Sequence, residues 1–411
     1  MGPKTAGSLS PPYRLACPAV TLSPRSAPAA APTLDFAFNA ARWRTFRFGA
    51  GSVSIDPTSG RYLYLDAPAA RLLRTLAVCE TAQAAVERFA RELSVDVPFV
   101  AGLAQKLEAE LAHLAADASP TPDAAFDIDR VRPPAGAAAV DAVFDVGERP
   151  VRVRCFDPPI ARSFAGMAAP ARVRNREPTA TIDLFAGDEG YLVTEDDRVL
   201  EATGDPFVAR WALVRALAAA SYAGRRLVAV LHAAAVAAGE AAIVLAGAGG
   251  SGKTTLAAGL VRNGLSFLAD DAVPLSADGE VLPIRLAMSI KAGGWPIVGA
   301  LFPGLAQQPV HRLGRGQCRY LWPGAAAVPD PSVAAKPVAA VVFPRYCREA
   351  APALERLTPL SLLAGLGATG TLPARQPAEF ASLLRWAERV PAFRFVFGDL
   401  DGAVAAVRRL I

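Results

Sequence analysis

Gly247-Ala248-Gly249-Gly250-Ser251-Gly252-Lys253-Thr254-Thr255 decides the reading of this chain. The stretch fits G-x-x-x-x-G-K-[ST], the P-loop pattern. Ala242-Ile243-Val244-Leu245-Ala246 before it is a short apolar run that predicts a buried strand, and residues 255–263 after it predict a helix. Leu256, Leu260 and Val261 share one face of that helix, and Gly264 is its stop. Glycines let a backbone wrap a polyphosphate with its N–H groups aimed inward, and the helix N-terminus adds its positive end. Lys253 has the reach for terminal phosphates, and the Thr254 hydroxyl suits Mg²⁺. Residues 247–255 are therefore the expected nucleotide-binding stretch. The pattern does not say what is done with the nucleotide.

The chain has 411 residues, enough for two or three domains, and 52% hydrophobic content, much of it alanine. A net charge of +5 is modest at this length and gives no reason to expect nucleic acid. Lys4, Lys106, Lys253, Lys291 and Lys336 are the only lysines, and arginine carries the remaining positive charge. Arginine density is thus weak evidence for a site here, and Lys253 and Lys291 gain weight. Cys17, Cys79, Cys155, Cys318 and Cys347 are scattered with no C-x-x-C pair, so neither a zinc site nor a disulfide framework is expected. The apolar region at 227–248 is broken by His232, Gly239 and Glu240, and the N-terminus has no apolar signal core. The expectation is a cytoplasmic protein without a membrane span.

Residues 1–38, rich in Pro, Ala and Ser, read as a disordered tail. Residues 43–48, 51–55 and 61–65 read as strands, with a turn at Asp56-Pro57-Thr58-Ser59-Gly60. Helices are predicted at 68–76, with Asp66 as a possible N-cap, at 81–93 and at 98–114. A hairpin followed by three short helices is a small α+β, winged-helix-like unit at 39–116. On its turn, on Arg61-Tyr62-Leu63-Tyr64-Leu65 and on Ala69-Ala70-Arg71-Leu72-Leu73, this unit resembles PqqD-like domains, the peptide-recognition modules of modified-peptide (RiPP) biosynthesis. The resemblance implies a leader peptide adding as a strand to the sheet edge. A DNA-binding or purely structural accessory domain is the other reading.

Residues 117–146 look like an Ala/Pro/Asp-rich linker. Strands are expected at 151–153, 181–185, 191–193, 267–271, 338–344 and 392–397, with a hairpin turn at Asp278-Gly279. Helices are expected at 205–222, 359–366, 377–389 and 402–410. The mixture predicts an α/β core with antiparallel additions over 147–411.

His232 lies fifteen positions before Gly247, and Asp270-Asp271 begins seventeen after Lys253. His232-Ala233-Ala234-Ala235-Val236, the P-loop and Leu268-Ala269-Asp270-Asp271 together resemble the HPr kinase/phosphorylase superfamily. The likeness is to its HPr-kinase-related branch, with a PEP carboxykinase-like nucleotide-binding fold, and it extends more weakly through Ile290-Lys291 and Phe343-Pro344-Arg345-Tyr346 to the C-terminus. It implies an ATP- and Mg²⁺-dependent serine kinase. Asp270 would be the general base at the end of a strand adjacent to the P-loop strand, with His232 in its hydrogen-bond network and Lys253 on the phosphates. Thr254 would serve the metal, and Asp271 the metal or the acceptor; which of the two aspartates is the base stays open. Adjacent carboxylates point to opposite faces of a strand, so both serve one site only where the strand ends between them. A core histidine and an acid that only binds Mg²⁺ in an ATPase are the plainer alternatives.

The glutamate signature of the bifunctional HPr enzymes has no counterpart. Pro283-Ile284-Arg285-Leu286-Ala287-Met288-Ser289-Ile290-Lys291 stands there, which puts phosphorylase activity and HPr as acceptor in doubt. Lys291 is either a phosphate contact or solvated. Arg312, Arg315 and Arg319 read as a solvated loop. The expected partner is a peptide or small-protein acceptor. A nucleotide-binding scaffold and a small-metabolite kinase are the rivals. HPr kinases form homo-oligomers, but no residue here reports assembly.

Overall fold

The computed structural model describes residues 19–20, 44–56, 62–116, 137–188, 190–313, 316–324, 335–369, 371–373 and 376–411. The chain is a mixed α/β protein with several sheets. Turn residues 57–60 and Arg315 lie outside the described residues, as do most of the expected tail and residues 117–136 of the expected linker.

The N-terminal unit has antiparallel strands Arg44–Phe48, Gly51–Ile55 and Tyr62–Leu65, then helices Ala67–Val78, Ala82–Leu93 and Val97–Ala116. Asp66 caps the first helix through the Ala69 N–H, and Thr81 caps the second through that of Ala84. Leu63, Leu65, Leu72, Phe89 and Leu107 close its core. From the expected tail, Ala19 and Val20 pair in parallel with Tyr64 and Leu65. The unit docks on helix Pro377–Arg389, where the Phe46 and Tyr62 rings lie 5.6 and 5.7 Å from Phe380 and the Gly49 N–H donates to Glu388.

The linker expectation needs correcting. Val140–Phe144 is a strand paired antiparallel with Val151–Cys155, and Phe144 is fully buried against Phe164. Its Val and Phe positions supply the β signal, which Asp141 and the surrounding alanines dilute. This pair belongs to a six-stranded sheet with Arg172–Val173, Thr181–Gly187, Gly190–Glu195 and Arg198–Thr203. Helices Pro158–Ala168 and Pro206–Ala220 pack with it in one core.

The central ten-stranded sheet runs from Ser266–Asp270 through Ala233–Ala238 and Ala241–Ala246 to Lys336–Tyr346. The last of these is the hub. One edge pairs in parallel with Ala241–Ala246, and the other pairs in parallel with Ala392–Phe397 and antiparallel with Glu280–Val281. The remaining additions are antiparallel. Both faces of the sheet are buried. Along Ala241–Ala246, Ala242, Val244 and Ala246 join the core shared with the six-stranded sheet, whereas Ile243 and Leu245 face helix Lys253–Arg262.

The Asp270 strand is not adjacent to the loop-bearing strand as expected. Ala233–Ala238 lies between them, because residues 233–246 fold into a tight hairpin at Gly239 (φ +54°). The arginine-containing loop is likewise a hairpin, His311–Leu313 with Gly316–Leu321, which pairs with Met288–Lys291. Arg319 is not solvated as expected but stacks 4.5 Å over Trp295, while Arg312 is exposed.

Candidate functional site

Gly247, Gly250 and Gly252 take φ of +146°, +85° and +99°, values that side chains resist, so their lack of Cβ shapes the loop. Ala248, Gly249 and Gly250 are exposed. Ser251 Oγ is buried with no hydrogen-bond partner among the described residues. Gly252 is the N-cap of helix Lys253–Arg262, two residues earlier than the pattern predicts, so the first-turn N–H groups of Lys253, Thr254 and Thr255 belong to the cradle. Lys253 is buried and donates to the loop's own carbonyls, Gly247 at 2.6 Å and Ala248 at 3.1 Å. Burial first and the Lys291 charge second push its ammonium down to about 8. Lys291 reaches the same place: a Cβ on Gly249 would lie 3.2 Å from its Nζ. Two ammonium groups thus stand at the loop, a charge balance that suits a multiply charged anion.

Beneath the loop the two aspartates converge. The strand ends at Asp270, and Asp271 turns into the left-handed region at φ +65°, so the chain breaks the alternation that would send them to opposite faces. Asp270 is 1% exposed and has both oxygens occupied. Oδ1 accepts from the Thr254 hydroxyl at 3.1 Å and Oδ2 from the Ser289 N–H at 2.9 Å. Asp271 has a side chain 21% exposed. Its Oδ2 accepts from the Ser289 hydroxyl at 2.7 Å and lies 4.0 Å from Arg210 Nη2. Its Oδ1 has no hydrogen-bond partner among the described residues.

Burial, reinforced by the Asp271 charge, pushes Asp270 up to about 7. Burial acts the same way on Asp271, but Arg210 and then His232 outweigh it and hold Asp271 below its ordinary value. Environment thus pushes the two carboxylates apart.

His232 is half-buried at the junction of strands Leu227–Leu231 and Ala233–Ala238. Its ring stacks on Trp211 (5.9 Å, 18°), and its backbone N–H donates to Thr371. It faces Asp271 electrostatically rather than joining the Asp270 hydrogen bonds as expected. Burial first, then Lys253, Lys291 and Arg210, push it down to about 4 against the pull of Asp271.

The fold thus brings the loop, Lys253, Thr254, Asp270, Asp271, His232 and Lys291 together. Ser289 and Arg210 were missed as site residues. Ser289 shares a strand face with Lys291 by simple alternation, which offered a signal. Arg210 offered a weaker one, a charge inside the apolar run Val208-Ala209-Arg210-Trp211-Ala212.

No three-residue cluster of His, Cys, Asp or Glu able to hold a metal occurs among the described residues. A hard cation would instead have the Thr254/Asp270 oxygens and whatever oxygens a phosphate ligand brings, which is the usual manner of Mg²⁺. A cavity of ≈ 430 Å³ lined by Arg262, Phe302 and Trp322 sits at the other end of the helix. About 14 Å of helix separates it from Lys253. Among the described residues no helix is long and apolar enough to cross a membrane. No protein-family model and no curated protein matches the chain.

Proposed function

We propose that the chain is an ATP-dependent kinase transferring phosphate to a hydroxyl, the serine of a peptide or small protein. Its catalytic unit would be HPr-kinase-like on a PEP carboxykinase-like P-loop fold. The observation that carries this reading is the pair of unlike aspartates under the glycine loop. Asp270 is closed off against Thr254 and Ser289, whereas Asp271 has one oxygen, Oδ1, without a hydrogen-bond partner among the described residues. That oxygen is available to the hydroxyl of an acceptor.

The division of labour is the reverse of the one the resemblance implies. Thr254 and Asp270 would hold Mg²⁺, and Asp271 would be the base. When bound, the cation would neutralise charge on the phosphates. The loop N–H groups and the helix N-terminus bind the β- and γ-phosphates. Lys253 exchanges its two loop carbonyls for phosphate oxygens, and Lys291, whose Nζ lies beside Gly249, joins it on them. The acceptor hydroxyl hydrogen-bonds to Asp271 Oδ1. Its oxygen forms a bond to the γ-phosphorus, the bond to the β–γ bridging oxygen breaks, and ADP leaves with that electron pair. The hydroxyl proton passes to Asp271. His232, kept neutral, adds no further positive charge beside Asp271.

The N-terminal unit, with its hairpin and three helices, supports a winged-helix-like, PqqD-like peptide-recognition role. Tethering the acceptor there would raise its effective concentration at the loop. The test is incubation of the full chain with labelled ATP, Mg²⁺ and a panel of serine- and threonine-containing peptides. Acid-stable label on a peptide, absent with Lys253→Ala, supports the proposal. Tight Mg²⁺-dependent ATP binding with no label on any peptide refutes it.

A further inference from the structure

The geometry points to Arg210 as the positioning residue for Asp271, an inference that rests on the transfer reading above. Arg210 lies in helix Pro206–Ala220 and is 4% exposed. A guanidinium at that depth is costly unless it is paired and hydrogen-bonded. Its Nε donates to Ser163 Oγ at 3.2 Å and its Nη2 to the Tyr320 hydroxyl at 3.0 Å. Those two hydroxyls are 2.7 Å apart. Ser163 comes from helix Pro158–Ala168 and Tyr320 from strand Gly316–Leu321, so separate elements fix the guanidinium before Asp271 is considered. Both partners are neutral. Asp271 supplies the counter-charge.

The consequence falls on one atom. Arg210 Nη2 and the Ser289 hydroxyl both address Asp271 Oδ2. One holds that oxygen by a hydrogen bond and the other by charge, and Oδ1 has no hydrogen-bond partner among the described residues. Asp271 lies just past the end of its strand at φ +65°, so these side-chain contacts, rather than a strand ladder, set its orientation. The next residue of the helix, Trp211, stacks on His232. One helix thus steadies the proposed base and the neighbouring imidazole together, linking the six-stranded sheet to the chemistry at the edge of the ten-stranded one.

Arg210→Met, Arg210→Lys, Asp271→Asn and the Arg210→Met/Asp271→Asn double variant of the full chain test this. Two quantities are read: Mg²⁺–ATP affinity, and γ-phosphate leaving ATP for water and the peptide panel. Arg210→Met is expected to lower turnover about 100-fold, the scale of a misplaced catalytic group. Nucleotide affinity should stay within about threefold of wild type. Arg210→Lys, keeping the charge but not the fork, should regain part of the loss. The double variant should match Asp271→Asn alone, because Arg210 acts through that carboxylate. Tyr320→Phe loosens the guanidinium without removing it, should give an intermediate loss, and serves where Arg210→Met does not fold. Wild-type turnover in Arg210→Met or Tyr320→Phe overturns the role of Arg210 and leaves the transfer reading standing. So does a loss of turnover that Asp271→Asn does not absorb. A wild-type chain that binds Mg²⁺–ATP but turns over no faster than Lys253→Ala overturns the transfer reading, and Arg210's role with it.

Discussion

The Thr254 hydroxyl donates to Asp270 Oδ1 at 3.1 Å, joining the first turn of the loop helix to the end of a strand two places away in the sheet. A hydroxyl and a buried carboxylate in that relation, below a glycine loop, make the proposed cation pair of the site. Thr254→Val keeps the shape and removes the donor. Mg²⁺ should then improve ATP affinity at least about tenfold less than in wild type, about 1.4 kcal/mol. Fluorescent-nucleotide titrations with and without Mg²⁺ measure this, and an undiminished Mg²⁺ effect would remove Thr254 from the pair.

Gly252→Ala is expected to cost about 1–2 kcal/mol, because its φ of +99° lies in the left-handed range. The new Cβ would also sit 3.2 Å from the Phe397 ring. Denaturant unfolding should show the loss, and ATP affinity should fall with it, since the strained position is the N-cap from which the anion cradle begins. Unchanged unfolding and unchanged affinity together would argue against the loop geometry.

His232 should remain neutral far below the pH at which histidine ordinarily takes up a proton. Its folded value is pushed down to about 4 from the ordinary 6.5. The unfolded chain therefore binds the proton first as pH falls. The stability that neutral His232 contributes is complete above 6.5 and is lost as pH drops towards 4. In histidine-labelled NMR its signal should stay fixed from pH 8 to 5, and Asp271→Asn, which removes an upward influence, should lower the midpoint further. A midpoint near 6.5 would contradict the burial that sets this value.

Phe380→Ala should release the N-terminal unit. Phe380 is fully buried between Phe46 and Tyr62, and such truncations cost about 3–5 kcal/mol. Hydrogen exchange at the Gly49 amide, bonded to Glu388, should accelerate. Unaltered protection at Gly49 would mean that this contact does not hold the unit.

The strand, loop and helix around residues 247–255 were legible because glycines, an apolar run and a 3.6-residue period agree over one short stretch. The caps Asp66 and Thr81 were legible or nearly so, being local chemistry. Sheet order was not. Gly239-Glu240 between two apolar runs is a hairpin signal that places Ala233–Ala238 beside the loop strand and displaces Asp270 by one position. The convergence of Asp270 and Asp271 depended on a single backbone angle at Asp271, which no side-chain pattern encodes. Arg210 was hidden by the abundance of arginine, and its partners Ser163, Asp271 and Tyr320 are far apart in the chain, so only the fold assembles them.

The comparison of Asp270→Asn with Asp271→Asn tests the central claim most directly, with Mn²⁺ replacing Mg²⁺ as an observable ion. Electron paramagnetic resonance reads Mn²⁺ retention in the presence of ATP, and labelled ATP reads phosphoryl transfer. Asp270→Asn should lose Mn²⁺ retention at least about tenfold. Asp271→Asn should retain Mn²⁺–ATP and lose transfer by about 10²–10⁴-fold, the usual weight of a general base. The reverse pattern, or equal Mn²⁺ retention in both variants with transfer intact in Asp271→Asn, would contradict the assignment.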